Sequence, residues 1–298
     1  MSPRLIVLSG LLVSQTLPAQ SPEPEEFDPD VTRWLKASPP AKTDEKKHQR
    51  FFAHANFSAR EWYVHAQDGR VLANQMPAPP QEGNLPVLAQ LAQQLFPMNL
   101  DPLLFTPVDE GWLGAVNRGE FGASVFWLSA DEKRMTRLSN EHHVSQFIQL
   151  SSRHFAVEGL RHMGINDGSI IEFTKQPEGW KVETLVKLPS CGYAATRLSD
   201  QAMYVVTSDA LLKVSLDKDV QTLISEPKLG MLFPTSVALD PGGRCVWIGM
   251  RYFVVRVNLA AKEPGMEYLL PGESSLKQLE ESVKSQDLND PFAPRPTK

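Results

Sequence analysis

Two cysteines in 298 residues exclude the disulfide framework that small exported domains build from four or more. Cys191 and Cys245 can form one bridge, which an oxidising compartment would permit, or stay as two inert buried thiols. Without histidines at a matching spacing they make a poor zinc site. Excess positive charge is missing as well. Lys and Arg number 30 against 35 Asp and Glu, for a net charge of −5 and a pI near 5.8, so there is no electrostatic footprint for nucleic acid. Long apolar runs are absent too. Leu5–Val13 ("LIVLSGLLV") falls short of the about 20 residues that cross a bilayer, and no membrane span is expected. There is no G-x-S-x-G elbow, no phosphate-binding G-x-x-x-x-G-K and no dinucleotide fingerprint. No cofactor is implied, and no catalytic residue can be named.

What is present leans towards β structure. The chain carries 24 prolines and 18 glycines, punctuation that breaks it into short elements. Arg4, the apolar run and "SQTLPAQ" ending on the small Ala19 and Gln20 have the order of a secretory signal. The mature protein is therefore expected to be exported, to the periplasm or the medium. Residues 20–50 read as an acidic, then Pro- and Lys-rich linker or surface arm. Within it Asp30 can cap a short helix presenting Val31, Trp34 and Leu35, ended by Pro39 and Pro40.

Beyond Phe51 the texture repeats. "SVFWLSADEKRMTRL", "SIIEFTKQPEGWKVETLVKL", "ALLKVSLDKDVQTLI" and "FVVRVNLAAKEPGMEYLL" align at Val125, Ile170, Leu211 and Val254, spaced 45, 41 and 43 residues apart. That spacing lies in the range of propeller blades. Each copy is preceded by two further short strands, as in "TSVALD" and "CVWIGM" for the last. A fifth copy opens the array with "FFAHANF" as an inner strand and then the hairpin "EWYVHAQDGRVLANQ", turning at Asp68-Gly69. Its outer strand is replaced by a helix-like insert, 84–97. Short strands at even spacing, four to a unit, resemble the β-propeller superfamily over Phe51 to Pro271. The last copy, "FPTSVALDPGGRCVWIGMRYFVVRVNL", is similar to the repeat of sensor propellers in two-component regulators. The resemblance implies an all-β fold of about five four-stranded blades, or six if the arm or the insert completes a unit. Short helical arms flank it. The expected organisation is a signal peptide at 1–19, the arm at 20–50, the propeller at 51–271, and a C-terminal helix and tail at 272–298. A monomer is expected.

That architecture places "EGLRHMGINDG" (Glu158–Gly168) between the second and third strands of its blade. Such turns share a face with the connections between blades. Arg118, Glu120, His142, Glu158, Arg161, His162, Asn166, Asp167, Asp209, Arg251 and Tyr252 are thereby expected around one rim, beside His143. A set of His142 or His143, His162 and Glu158 or Asp167 has the donor types of a metal site, but adjacent histidines on extended chain diverge, and no metal is assigned. Metal-dependent lactonase propellers gather carboxylates and amides from inner strands. The corresponding positions here, Ser145, Gln146, Gly192, Tyr193, Thr235 and Ser236, are no cage for a hard cation. The expected function is non-catalytic binding of a protein, peptide or glycan through the rim. The alternative is a lactonase-like propeller hydrolase or lyase, metal-assisted or not, with its pocket on the same face.

Overall fold

The computed structural model describes residues 27–76 and 103–284. The expected signal peptide, the expected 84–97 insert and the tail beyond Lys284 lie outside the described residues.

Asp30 caps a single turn, Val31–Arg33, its carboxylate accepting from the Thr32 N–H at 3.1 Å. The chain then extends as β1 (Leu35–Ala37) instead of continuing as a helix to the prolines. Helix α1 (Glu45–Asn56) follows, capped by Asp44. The hairpin β2 (Trp62–Gln67) and β3 (Arg70–Gln75) opens the sheet array. Four meanders succeed it. The first is β4 (Leu103–Val108), β5 (Gly111–Asn117), β6 (Ala123–Ser129) and β7 (Met135–Ser139). The second is β8 (Val144–Leu150), β9 (Arg153–His162), β10 (Ile165–Gln176) and β11 (Gly179–Leu188). The third is β12 (Gly192–Ser199), β13 (Ala202–Thr207), β14 (Ala210–Ser215) and β15 (Val220–Ser225). The last is β16 (Ser236–Leu239), β17 (Cys245–Gly249), β18 (Val254–Asn258) and β19 (Met266–Leu270), and α2 (Glu273–Lys284) ends the described chain. Each meander is an antiparallel sheet in sequence order, and β1 adds a fifth strand to the last one through Leu35–Leu270 and Ala37–Tyr268 pairing.

The sheets stack face to face because successive side chains on a strand point to opposite faces. In β10, Ile170 packs towards Met203 and Val205 of the third meander, while its neighbour Ile171 packs towards Leu113 and Val125 of the first. In β17, Val246 and Ile248 face Val206 and Leu211, while Trp247 between them faces Trp62 and Val64 of the opening hairpin. Each apolar cluster therefore contains an interface between two neighbouring sheets, and the one between the third and last meanders extends under α1 and α2. The first strands β4, β8, β12, β16 and β2 follow one another in that order. Four-stranded antiparallel sheets stacked about their first strands are the arrangement of a β-propeller.

Two expectations are corrected. Phe51 to Phe57 is not an inner strand: Phe51, Phe52 and Ala55 fall on one side of α1 and are buried against Phe253, Tyr268 and Leu279. Their spacing suits a helical face, and the turn at Asp44 satisfies the free N–H groups that a helix start exposes. The arm is also no surface linker. Val31, Trp34 and Ala37 are buried, and β1 covers what would be an open sheet edge. Cys191 and Cys245 are both free thiols. Among the described residues no helix is long and apolar enough to cross a membrane.

Candidate functional site

The rim is organised by the hairpin of β9 and β10, ten and twelve residues long. The sequence suggests a turn at Asn166-Asp167-Gly168. Instead His162 pairs with Ile165, and the two-residue turn is Met163-Gly164, with φ of 45° and 91°. Positive φ at both central residues gives the hand that matches strand twist, and Gly164 takes it without steric cost. Asn166, Asp167 and Gly168 are strand residues opposite Arg161, Leu160 and Gly159. The partner strands stop short of the tip: β8 reaches only Glu158 and β11 only Gly168. Residues 159–167 therefore project beyond their own sheet.

The projecting tip rests on the third meander. Glycine is required for that approach. A Cβ on Gly159 would sit 2.6 Å from the Cys191 sulfur, and one on Gly168 would sit 2.8 Å from the Gly192 nitrogen. Asn166 then locks the contact. Its Oδ1 accepts from the Cys191 N–H at 3.0 Å and from the Ser208 hydroxyl at 2.8 Å, and its Nδ2 donates to Asp209 at 2.9 Å. Arg161 lays its guanidinium against Gly230, where no Cβ would fit, and its charge lies near Tyr193 and Cys191. His162 pairs with Glu120 from the β5–β6 turn.

At the root of the hairpin Glu158 is 8% exposed. One of its oxygens meets His142 Nδ1 at 2.8 Å and the other accepts from the fully buried Ser169 hydroxyl. Burial pushes this carboxyl up, but the His142 and Ser169 hydrogen bonds outweigh it and hold it below the ordinary carboxylate range. Serine, carboxylate and histidine are all here, yet in an order that activates nothing. The hydroxyl donates to the carboxylate, not to an imidazole that could take its proton. Burial likewise pushes the Cys191 thiol to about 11, countered in part by Arg161, so at neutral pH it is a protonated thiol and a poor nucleophile.

The polar groups at the start of the inner strands are spent on joining sheets. Ser145 donates to the Val157 and Gly192 carbonyls, both at 3.1 Å. Gln146 exchanges two bonds with the Ala195 backbone, at 3.0 and 2.8 Å. Ser236 accepts from Val64 N–H at 2.8 Å, and Thr235 donates to the Trp62 carbonyl. Among the described residues no three His, Cys, Asp or Glu side chains converge as metal ligands would.

The structure thus brings Glu120, His142, Glu158, Arg161, His162, Asn166 and Asp209 into one belt, with Arg118 at the base of the Glu120 turn and Asp167 exposed on the hairpin. Two others are engaged elsewhere in the packing. Arg251 is tied to Glu61 (2.9 Å) and the Asn56 carbonyl (2.8 Å) and lies 4.0 Å over the Phe233 ring. Tyr252 is 4% exposed and donates to the Ser275 carbonyl at 2.7 Å, so it packs α2 onto the last meander and is not on the rim. Sequence reasoning about charge missed the apolar side chains of the belt: Phe121, Met163 and Ile165 are 73%, 92% and 44% exposed. An apolar residue at the centre of a two-residue turn was the available signal.

Three histidines give the fold a pH dependence. Burial depresses His54, His143 and His154 below the ordinary imidazole value of 6.5, with Glu158 opposing it at His143 and Asp109 at His154. They stay neutral in the fold and charge on unfolding, so the unfolded chain binds more protons below about pH 6.5. Their contribution is complete above that value and is lost as pH falls towards the folded values. The Glu158 contribution acts in the same sense further down, below the ordinary carboxylate value of 4.5. Melting temperature should be level above about pH 7 and fall between about pH 6.5 and 5. A rise over that interval contradicts the burial of these rings.

No protein-family model matches the chain, and no curated protein does. Solved structures match it loosely. An auxiliary nutrient binding protein from Bacteroides ovatus aligns at 11% identity and a TM-score of 0.42, covering 59% of this chain and 42% of that one. A gluconolactonase from Xanthomonas campestris aligns at 10% identity and 0.36, covering 56% and 55%. An oligogalacturonate lyase in complex with manganese aligns at 13% identity and 0.34, covering 59% and 50%. The chain spans about half the length of these structures. Likeness at this level says nothing of ligand or reaction.

Proposed function

We propose that this protein is an exported five-bladed propeller that binds a protein or peptide partner on the rim built around the β9–β10 hairpin. The mature chain begins near Gln20 and acts as a monomer. One observation carries the binding role. Phe121, Met163 and Ile165 stand in water at 73%, 92% and 44% exposure, on a turn and a hairpin tip whose strands Asn166 ties to the next meander. Apolar side chains scattered singly on a surface are ordinary, whereas several grouped on one edge mark an interaction surface. A rigid tip loses little entropy on docking. Apolar anchors of this size favour a protein or peptide over a glycan, and Arg118, Glu120 and Asp167 supply a polar border. A hydrolase would need a base poised on a nucleophile, and the Glu158 cluster is wired otherwise.

The test is the double variant Phe121→Asp with Met163→Asp. Aspartate tolerates the positive φ of position 163, and both sites are exposed, so stability should move by no more than about 0.5 kcal/mol. Photo-crosslinking from position 165 in the native host should give a discrete adduct that the double variant loses. An adduct pattern identical in both proteins removes the rim as the binding face, and retention of the variant on a glycan array would redirect the reading to sugars.

A further inference from the structure

The sulfur atoms of this chain are unevenly placed. Among the described residues Met203 and Met250 are fully buried, and Met76, Met135 and Met266 are half-buried. Met231 is 36% exposed and Met163 is 92% exposed. The two thiols are held back as well. Burial pushes up both Cys191 and Cys245, which keeps them out of the reactive thiolate form. We propose that Met163 is a modification site: a peroxide converts its thioether to the sulfoxide, and the sulfoxide switches off docking on the rim.

The fold gives no reason for methionine at this position. The turn Met163-Gly164 has positive φ at both residues, where Asn, Asp and Gly are the usual occupants. A left-handed backbone is unfavourable for a residue with a long side chain, and no burial offsets it, since Met163 stands almost wholly in water. The rim supplies the reason. His162, just before Met163, pairs with Glu120, just before Phe121. That ion pair ties together the two turns that carry the most exposed apolar anchors. Ile165, the third anchor, lies across the hairpin from His162.

The reaction needs access and no catalytic group. A lone pair on the Met163 sulfur attacks one oxygen of hydrogen peroxide. The S–O bond forms as the O–O bond breaks, the proton on the transferred oxygen passes to the departing hydroxide, and water leaves. Sulfur is oxidised by two electrons and the peroxide is reduced by two. A flexible apolar side chain thereby becomes polar and chiral. So exposed a side chain contributes little to the packing, and the folded structure is left as it was. Docking is not. A sulfoxide oxygen pressed into an apolar contact loses its water without gaining a donor. The switch rests on the docking role proposed above; the selectivity of the oxidation does not.

The test treats the full chain with hydrogen peroxide and follows its methionines by peptide mapping with mass spectrometry. Met163 should oxidise severalfold faster than Met231 and ahead of the other described methionines, with the melting temperature unchanged while Met163 alone is oxidised. Equal rates at Met163 and the half-buried Met135 and Met266 overturn the site. Photo-crosslinking from position 165 then reads the consequence. The adduct should fall about tenfold in step with the Met163 sulfoxide. Methionine sulfoxide reductases with a thiol reductant should restore it. Met163→Gln, polar and of similar length, should lose the adduct without peroxide. In Met163→Leu the adduct yield should not respond to peroxide. An adduct that survives complete oxidation of Met163, or that peroxide removes equally from Met163→Leu, overturns the switch. If the unoxidised protein gives no adduct at all, docking on the rim falls and the switch with it, whereas the mapped order of oxidation stands, which keeps the two failures apart.

Discussion

Replacing Trp62 with alanine should destabilise the protein by about 3–5 kcal/mol, the cost of emptying a packed aromatic site. Trp62 is fully buried where three parts of the chain meet. Its ring lies edge-on to Trp34 of the arm at 4.7 Å and to Phe27 at 4.9 Å, and it faces Trp247 and Val254 of the last meander. Its indole N–H donates to the Tyr252 carbonyl at 3.0 Å, so truncation leaves a buried acceptor unpaired as well as a cavity. The arm should loosen along with the hairpin. Chemical denaturation should show a lower midpoint at unchanged slope, and hydrogen exchange should rise at β1. A loss below about 1 kcal/mol would mean that this junction is not packed as described.

Ile248→Ala should cost about 2–4 kcal/mol through lost transfer energy and the cavity left behind. Ile248 sits in β17 between Val237 of β16 and Val255 of β18, fully buried on the face turned to the third meander. Backbone pairing on both sides prevents the strand from shifting to fill the space, and close-packed interiors relax only in part. Trp247→Ala tests the other face of the same strand. The two losses should add, because the side chains enter separate clusters on opposite sides of the sheet. A change below about 0.5 kcal/mol for Ile248 would put β17 at the surface.

Much of this fold was legible because a sheet buried on both faces leaves a strong trace. The four full repeats anchored at Val125, Ile170, Leu211 and Val254 each became a four-stranded meander, and Val246, Trp247 and Ile248 alternate between neighbours as period-two patterning requires. The hairpin at Asp68-Gly69 also formed, with positive φ at both residues. The first repeat was misread at "FFAHANF", where apolar residues too few to separate a period of two from one of 3.6 became a helix. The hairpin turn was misplaced for a different reason. Asn-Asp-Gly is a good turn sequence, but pairing continued through it because Asn166 gained three tertiary bonds and Gly168 let the next sheet approach.

The rim residues divide in the same way. That Glu158, Arg161, His162 and Asp209 share a face followed from strand direction alone. That Glu158 lies nearly buried between His142 and Ser169 did not, since burial and hydrogen-bond partners depend on chain segments brought together from 16 and 11 residues away. Tyr252 was placed with the rim by its position in a turn. Packing turned it inward, where its ring and hydroxyl secure α2.

By itself the sequence determined repeat length, strand alternation, the excess of acid over base and the short apolar N-terminal run. Each is a local property, carried by neighbours along the chain. Only the tertiary structure decided that the arm closes the edge of the last sheet, that the long hairpin leans on the next meander, and that His162 of that hairpin meets Glu120 of another turn. Those arrangements arise from side chains that meet only after the sheets have stacked, and interior close packing then admits one arrangement among the many that the same local pattern allows.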